Sequence, residues 1–357
     1  MRVDGVDVSC FTIPTDQPES DGTLEWSSTT IVVVEARSGA VRGLGYTYAP
    51  EAAGKVVEGQ LRDVVVGRTL DEHAAVWLEC GAQLRNAGRP GIAFCALSAL
   101  DVALWDLRAR LLDVPLVSLL PAAHDRVPIY GSGGFCSYTL ERLQEQLGSW
   151  ADEGIPRVKM KLGREPDFDP QRIDAAREAI GDGTELYVDA NGAFSAKEAV
   201  RWARRYVEEW DVRWFEEPVS SADFEGLRLV RGLSTLDVAA GEYAYVLADF
   251  RNLVGCVDCL QADVTRCGGI TGLLRVNGLA AAHGLDVSGH CAPQLAAHAL
   301  CGVDRLRHLE YFHDHVRIEH MLFDGVLAPD GGALVPDRSR PGLGLELKRA
   351  DAQRYAA

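Results

Sequence analysis

The chain has 357 residues, 47% hydrophobic and 25% charged, with a formal net charge of −16 and a pI near 5.0. That length exceeds the size at which one hydrophobic core stops growing, so two domains, or one barrel of roughly 250 residues with additions, are expected. The acidity, without any Lys/Arg-dense run, argues against nucleic acid and anionic membrane surfaces as partners.

Met1 to Pro14 carries Asp4 and Asp7 and has no long apolar core, so it does not read as a secretory signal. Val6–Thr12 and Thr29–Ala36 read as strands, joined by a polar loop at Asp16–Ser28. After Gly43–Tyr48 helical periodicity takes over, most clearly in Gly91–Leu112, which is apolar on most faces and so predicts a buried helix. Asp113-Val-Pro stops it. From Val127 short apolar runs alternate with amphipathic stretches. The strand candidates are Val127–Ser132, Arg157–Leu162, Leu186–Ala190, Arg213–Glu217, Val238–Glu242, Cys259–Asp263, Asp286–His290 and His308–Phe312. Helices are expected at Leu140–Ala151, Pro170–Ile180, Ala196–Trp210, Phe224–Gly232, Gly269–His283 and Pro293–Val303. Strands separated by helices of about a dozen residues imply a parallel sheet, and this regular alternation fits a closed barrel. An open doubly wound sheet would want a G-x-G-x-x-G or Walker loop, and neither is present. The tail after Phe312 is rich in Pro and Gly and is expected to return to the amino-terminal part. The expected division is 1–125, 126–325 and 326–357.

Nine cysteines, without framework spacing, suit a reducing cytoplasm. Cys256 and Cys259 form a C-x-x-C, but a strand over Val254–Asp263 would point them to opposite faces. No apolar run reaches the roughly 18 residues needed to span a bilayer.

The carboxyl ends of barrel strands converge on one face, and polar residues there read as chemistry. Lys159 and Lys161 belong to the second strand, Asp189 and Asn191 to the third, Glu216 and Glu217 to the fourth. Glu242 ends the fifth, Asp263 the sixth and His290 the seventh, and Glu310 lies on the eighth. Each alone could cap or face solvent, but seven consecutive strands carrying charge at one end require a use for it. Asp189, Glu216 and Glu242 supply only hard oxygens, a set suited to Mg²⁺; zinc would want Cys or several His. Glu217, adjacent to Glu216, is expected to point away and support from behind. Lys159 and Lys161 share a face, where two ammonium groups would lower one another and make a lysine base feasible. Asp263 beside His290 would hold the imidazole in one tautomer. His283, His298, His313 and His315 have no such partner by sequence and read as structural.

These residues sit in K-x-K at Lys159/Lys161, V-D-A-N-G at Val188–Gly192, F-E-E-P at Phe215–Pro218, G-E at Gly241–Glu242, D-x-x-x-x-G-G-x-T-G at Asp263–Gly272 and S-G-H at Ser288–His290. The set resembles the enolase superfamily, and A-L-S-A-L-D-V-A-L-W-D-L at Ala96–Leu107 extends the resemblance to the helix before the barrel. His290, where the muconate-lactonising branch has a lysine, resembles the mandelate racemase subgroup. Ala262, where a proline is common, and Leu119-Leu-Pro-Ala, in place of L-L-G-G, depart from the pattern. The resemblance implies a (β/α)₇β TIM-like barrel with an α+β capping domain, and Mg²⁺ on Asp189, Glu216 and Glu242. It also implies proton abstraction beside a carboxylate by Lys161 or His290, with Lys159 and a protonated Glu310 steadying the charge. Thr15–Ser28, expected over the site, is rich in hydrogen-bonding groups with Leu24 and Trp26 as its bulky apolar residues. That favours a polyhydroxylated acid sugar and dehydration over racemisation or epimerisation. A Schiff-base aldolase and a non-catalytic binding barrel are the readings from other classes. A homo-oligomer is expected.

Overall fold

The computed structural model describes all 357 residues. Three antiparallel strands come first: β1 (Gly5–Ser20), β2 (Glu25–Ser38) and β3 (Val41–Tyr48), in the order β1-β2-β3. Their alternation places Val32, Val34 and Ala36 in one buried cluster with the helix Ile92–Leu111. Gly45 is required where β3 crosses that helix, because a Cβ there would lie 2.1 Å from the Ala99 carbonyl oxygen. The helix is buried along nearly its whole length and carries two polar staples. Asp106 accepts from the Leu44 amide at 2.7 Å, Arg110 Nε at 2.7 Å and the Leu343 amide at 2.6 Å, tying sheet, helix and tail together. Asp101 takes the Thr271 hydroxyl at 2.7 Å and lies 2.9 Å from His73 Nε2, joining the cap to a barrel helix.

Eight parallel strands form the second unit: β4 (Val127–Gly133), β5 (Arg157–Lys161), β6 (Glu185–Asp189), β7 (Val212–Glu216), β8 (Asp237–Ala240), β9 (Cys259–Ala262), β10 (Asp286–Gly289) and β11 (Leu306–Phe312). β11 pairs with β4, from Leu309 on Ile129 to Phe312 on Ser132, which closes the barrel. The helices between the strands follow the predicted alternation, with one addition: Leu247–Leu253, a seven-residue helix too short to show periodicity. The tail touches both units. Ala333–Leu334 pairs with β4, Glu346–Leu347 with Phe323–Asp324, and Ala356 bridges Phe11. No helix is long and apolar enough to cross a membrane.

Two expectations need correction here. Asp16–Ser28 is not a loop: β1 runs to Ser20 and β2 starts at Glu25, leaving a turn at Asp21–Leu24. This hairpin covers a cavity rather than the core, so its strands lack the apolar alternation that marks a strand. Cys256 precedes β9 instead of lying in it, and all nine cysteines are free.

Candidate active site

The period of two along each strand builds the site in tiers. A lower tier of Tyr130, Tyr187, Trp214 and His308 fills the barrel, with Trp214 and His308 ring centroids 5.0 Å apart and Tyr130 and His308 4.7 Å apart. Two residues further along the same strands stand Ser132, Asp189, Glu216 and Glu310, all buried. Aromatic rings thus form a dry floor directly beneath the ionised groups, which strengthens every interaction between them.

Lys159 is fully buried and touches Glu216, Glu310 at 2.7 Å and Asp189 at 3.3 Å. Lys161 donates to Asp189 Oδ2 at 2.6 Å. Asp189, Glu216 and Glu242 can each present an oxygen so that all three lie within 4.8 Å of one another. Asp189 and Glu216 are the last residues of their strands, whereas Glu242 stands two residues past β8. The intervening Gly241 has φ of +139°, and a Cβ on it would meet the Gln261 carbonyl oxygen at 2.2 Å, so only glycine lets the chain turn Glu242 inward. Burial and the neighbouring Asp189 push Glu216 up to about 8. Glu242 Oε2 is buried 3.1 Å from His290 Nε2 yet has no well-formed hydrogen bond.

His290 Nδ1 pairs with Asp263 Oδ2 at 2.8 Å, and Asp263 is itself held by the Thr265 amide and hydroxyl, both at 2.7 Å, and by Arg266 Nε at 3.3 Å. The imidazole is therefore fixed at one nitrogen and presents Nε2 to the cavity. Burial works to lower this imidazole, but Cys291, Glu242, Glu310 and Asp263 beside it outweigh burial and hold it well above its usual value.

Two groups depart from the expected charge. Glu310, expected as a protonated donor, is held toward its ionised form. Burial alone would raise it, but Lys159, His290 and Lys161 hold it well below the usual carboxylate range. It accepts from Ser132 Oγ at 2.6 Å. The two lysines do not end up lowered either: for Lys161, burial and the repulsion from Lys159 act downward, but Asp189, Glu242 and Glu310 together outweigh them, so its pKa is raised. The strand ends at Glu216, Glu217 adopts φ of +36°, and its buried carboxyl is raised by burial, Glu242, Asp189 and Glu216. Its Oε1 has no partner.

Above these groups opens a cavity of about 490 Å³. Its barrel wall includes Lys161, Asn191, Glu242, His290 and Glu310, and its cap wall Asp21, Leu24, Trp26, Ser28, Thr29, Thr30 and Tyr48. Trp26 is pinned by donating to Glu19 Oε2 at 2.8 Å and by an edge contact with Phe135. The Asn191 backbone N–H donates to Asp189 Oδ1 at 2.9 Å. Lys159, Asp189 and Glu216 are fully buried below. Sequence reasoning missed Tyr243, Arg266 and His315 on this wall. Arg266 could have been found three residues after Asp263 within its motif; His315, stacked on Tyr48 at 3.4 Å, left no local signal. His313, expected to lack a partner, lies 3.0 Å from Asp16.

Comparison with known proteins agrees with this geometry. Residues 142–352 match the family described as enolase C-terminal domain-like, and residues 11–121 match the mandelate racemase / muconate lactonizing enzyme N-terminal domain. A crystal structure of a mandelate racemase/muconate lactonizing enzyme-like protein from Rubrobacter xylanophilus superposes with a TM-score of 0.99 at 58% identity over 100% of both chains. A 3,6-anhydro-alpha-L-galactonate cycloisomerase of Streptomyces coelicolor is 34% identical over 89% of each chain. An L-talarate/galactarate dehydratase of Salmonella typhimurium is 29% identical over 97% of this chain and 89% of its own length. Its structure liganded with Mg and L-lyxarohydroxamate has a TM-score of 0.91 at 28% identity, covering 100% of this chain and 93% of that one.

Proposed function

Because the chain belongs to the mandelate racemase/muconate lactonizing enzyme family, we propose that this enzyme removes the proton beside the carboxylate of an acid sugar and then expels a β-hydroxyl as water, giving a 2-keto-3-deoxy acid. One observation carries the proposal: Lys161 and His290 open into the same cavity, above three carboxylates whose oxygens come within 4.8 Å of one another.

The donor set fits Mg²⁺. Its oxygens are hard, the group is buried, and Glu216 is raised by burial and Asp189, as expected of acids that repel one another without a cation, whereas Glu242, which burial would raise, is held low by His290 3.1 Å away. Asp189, Glu216 and Glu242 would hold the ion, which supplies positive charge for the substrate carboxylate and lowers the cost of the charge that builds there on α-deprotonation.

The chain's own groups then divide the work. Lys161 takes the α-proton on one side of the cavity, once its Nζ has given up the proton that Asp189 now stabilises. His290, held protonated at Nε2 and steered by Asp263 at Nδ1, delivers a proton to the departing hydroxyl. Lys159, fixed by Glu310, keeps a permanent positive charge under the reacting carboxylate. Thr29, Thr30, Ser28 and Asn191 offer partners to the remaining hydroxyls, Trp26 excludes water from one side, and the buried Glu217 supports the acids from behind.

Cycloisomerisation, named for the Streptomyces coelicolor relative, is the second reading. It and epimerisation both begin with the same proton removal. Incubation with Mg²⁺ and a panel of aldonates, aldarates and their lactones, read by mass spectrometry in deuterium oxide, separates the outcomes. Loss of water with a semicarbazide-reactive product supports dehydration. Conserved mass with α-deuterium supports epimerisation, and a mass-neutral change of ring form supports cycloisomerisation. Absence of water loss, α-exchange and change of ring form in every member of the panel would end the whole reading.

A further inference from the structure

A second compact group of ligating side chains lies outside the cavity, where the cap hairpin meets the helix His313–Leu322. The β1–β2 register breaks between Pro14, opposite Ser28, and Glu19, opposite Trp26, so β1 carries extra residues that bulge away from its partner. The bulge carries Asp16 to within 3.0 Å of His313 Nε2. One ring nitrogen of His313 and one carboxylate oxygen from each of Asp16 and Glu19 all lie within 4.8 Å of one another.

What sets this group apart from a surface ion pair is Glu19. It is 0% exposed, its Oε2 takes only the Trp26 indole N–H, and its Oε1 has no partner at all. The Tyr138 hydroxyl, close enough to feel both Glu19 and Asp16, is also buried without a partner. The cations nearby are only loosely engaged with the trio: Arg142 donates to Glu145 at 3.0 Å through Nη1, keeps Nη2 3.9 Å from Asp16 and leaves its buried Nε without a partner, and Arg317 holds Asp314 at 2.5 Å and the Pro14 carbonyl at 2.7 Å. A buried carboxylate with one neutral hydrogen bond is an expensive arrangement: without a cation, burial and Asp314 push Glu19 up to about 9 and it keeps a proton, which a bound cation would displace.

We propose that Asp16, Glu19 and His313 form a binding site for one transition-metal cation of the Zn²⁺ class, separate from the acids at the strand ends. An imidazole nitrogen with two carboxylate oxygens suits zinc, whereas Mg²⁺ prefers oxygen alone. Zinc bonds of about 2.0–2.2 Å require the three atoms to draw together; Asp16 and His313 keep some exposure and can do so, while Glu19 is the fixed point. The bound cation ties the hairpin bulge to the helix after β11. Through Glu19 it also fixes Trp26, and with it one wall of the substrate cavity.

Equilibrium dialysis of the full chain against Zn²⁺ in saturating Mg²⁺ tests this. The variants are H313A, D16N and, as a control, H290A, because His290, Cys291 and Glu310 form another close trio inside the catalytic cavity. The expected result is one Zn²⁺ per chain that survives H290A and is weakened in both H313A and D16N by at least about 10–100-fold, the loss that even supporting residues of metal sites cause. D16N, at an exposed side chain, keeps the test open if H313A does not fold. No zinc on the unaltered chain, or zinc lost in H290A and retained in D16N, overturns the assignment.

Discussion

Replacing Asp263 by Asn leaves the shape of the residue and removes its charge. Asp263 lies 1% exposed behind His290, does not line the cavity, and is held by Thr265, an arrangement that an Asn side-chain oxygen can keep. What changes is the 2.8 Å contact with His290 Nδ1, where an acceptor-only carboxylate gives way to an amide that can present a donor. A hydrogen bond to a charged partner contributes about 1.5–3 kcal/mol, so the imidazolium loses that much support and kcat falls by about 10–150-fold. Since Asp263 makes no cavity contact, KM stays within about threefold. The assay is product formation from the acid sugar that the panel identifies, with melting curves confirming that D263N is folded. Nitrogen-15 shifts of His290 give a readout independent of substrate: both ring nitrogens stay protonated to a higher pH in the parent than in D263N. An unchanged kcat, or a loss carried entirely by KM, refutes the positioning role.

Glu319 is buried, accepts from Tyr46 at 2.5 Å, and is pushed up to about 8 by burial. Between about 4.5 and 8 the folded chain therefore keeps a proton that the unfolded chain releases, so this residue's stabilising effect is complete below that window and is lost as pH rises through it. E319Q is free of this dependence and gains stability relative to the parent from pH 5 to pH 8, by at most about 5 kcal/mol in denaturant melts; a pH-independent difference would falsify the shift. G241A forces a Cβ into the Gln261 carbonyl and displaces Glu242, so it costs at least about 1–3 kcal/mol of stability and raises the Mg²⁺ concentration needed for half-activity. Mg²⁺ at about 100 times its Kd stabilises the parent by about 2.7 kcal/mol relative to chelator, and D189N removes most of that increment in thermal scans.

The catalytic strand ends were legible because parallel βα units impose two regularities together: a period of two along each strand and one shared end for chemistry. Tyr187 with Asp189, and Trp214 with Glu216, show both in a span of three residues each. Features that depend on contacts distant in sequence were not legible. The charge of Glu310 is set by Lys159 and His290 across the barrel, and Glu217 adopts a left-handed backbone that its residue type does not announce. Burial of Glu19, Ser20 and Asp21 in a polar hairpin contradicts every local cue, because their cover comes from the barrel rather than from their own sheet. His315 reaches the cavity wall by stacking on Tyr48 of the cap, a pairing of residues 267 positions apart.

Under the proposed function, the wall that would face the sugar hydroxyls and the floor that would move protons are encoded in separate stretches of chain. Hairpin residues 21–30 line the cavity from the cap side, whereas Asp189 and Glu216 stand two residues beyond Tyr187 and Trp214 on the same strands, and Lys161 and His290 are held by Asp189 and Asp263. Selection, or an engineer, can therefore rewrite the hairpin to admit a new stereoisomer while inheriting the acid–base apparatus intact. The reverse edit, altering the floor to suit a new sugar, dismantles the reaction before it changes the guest.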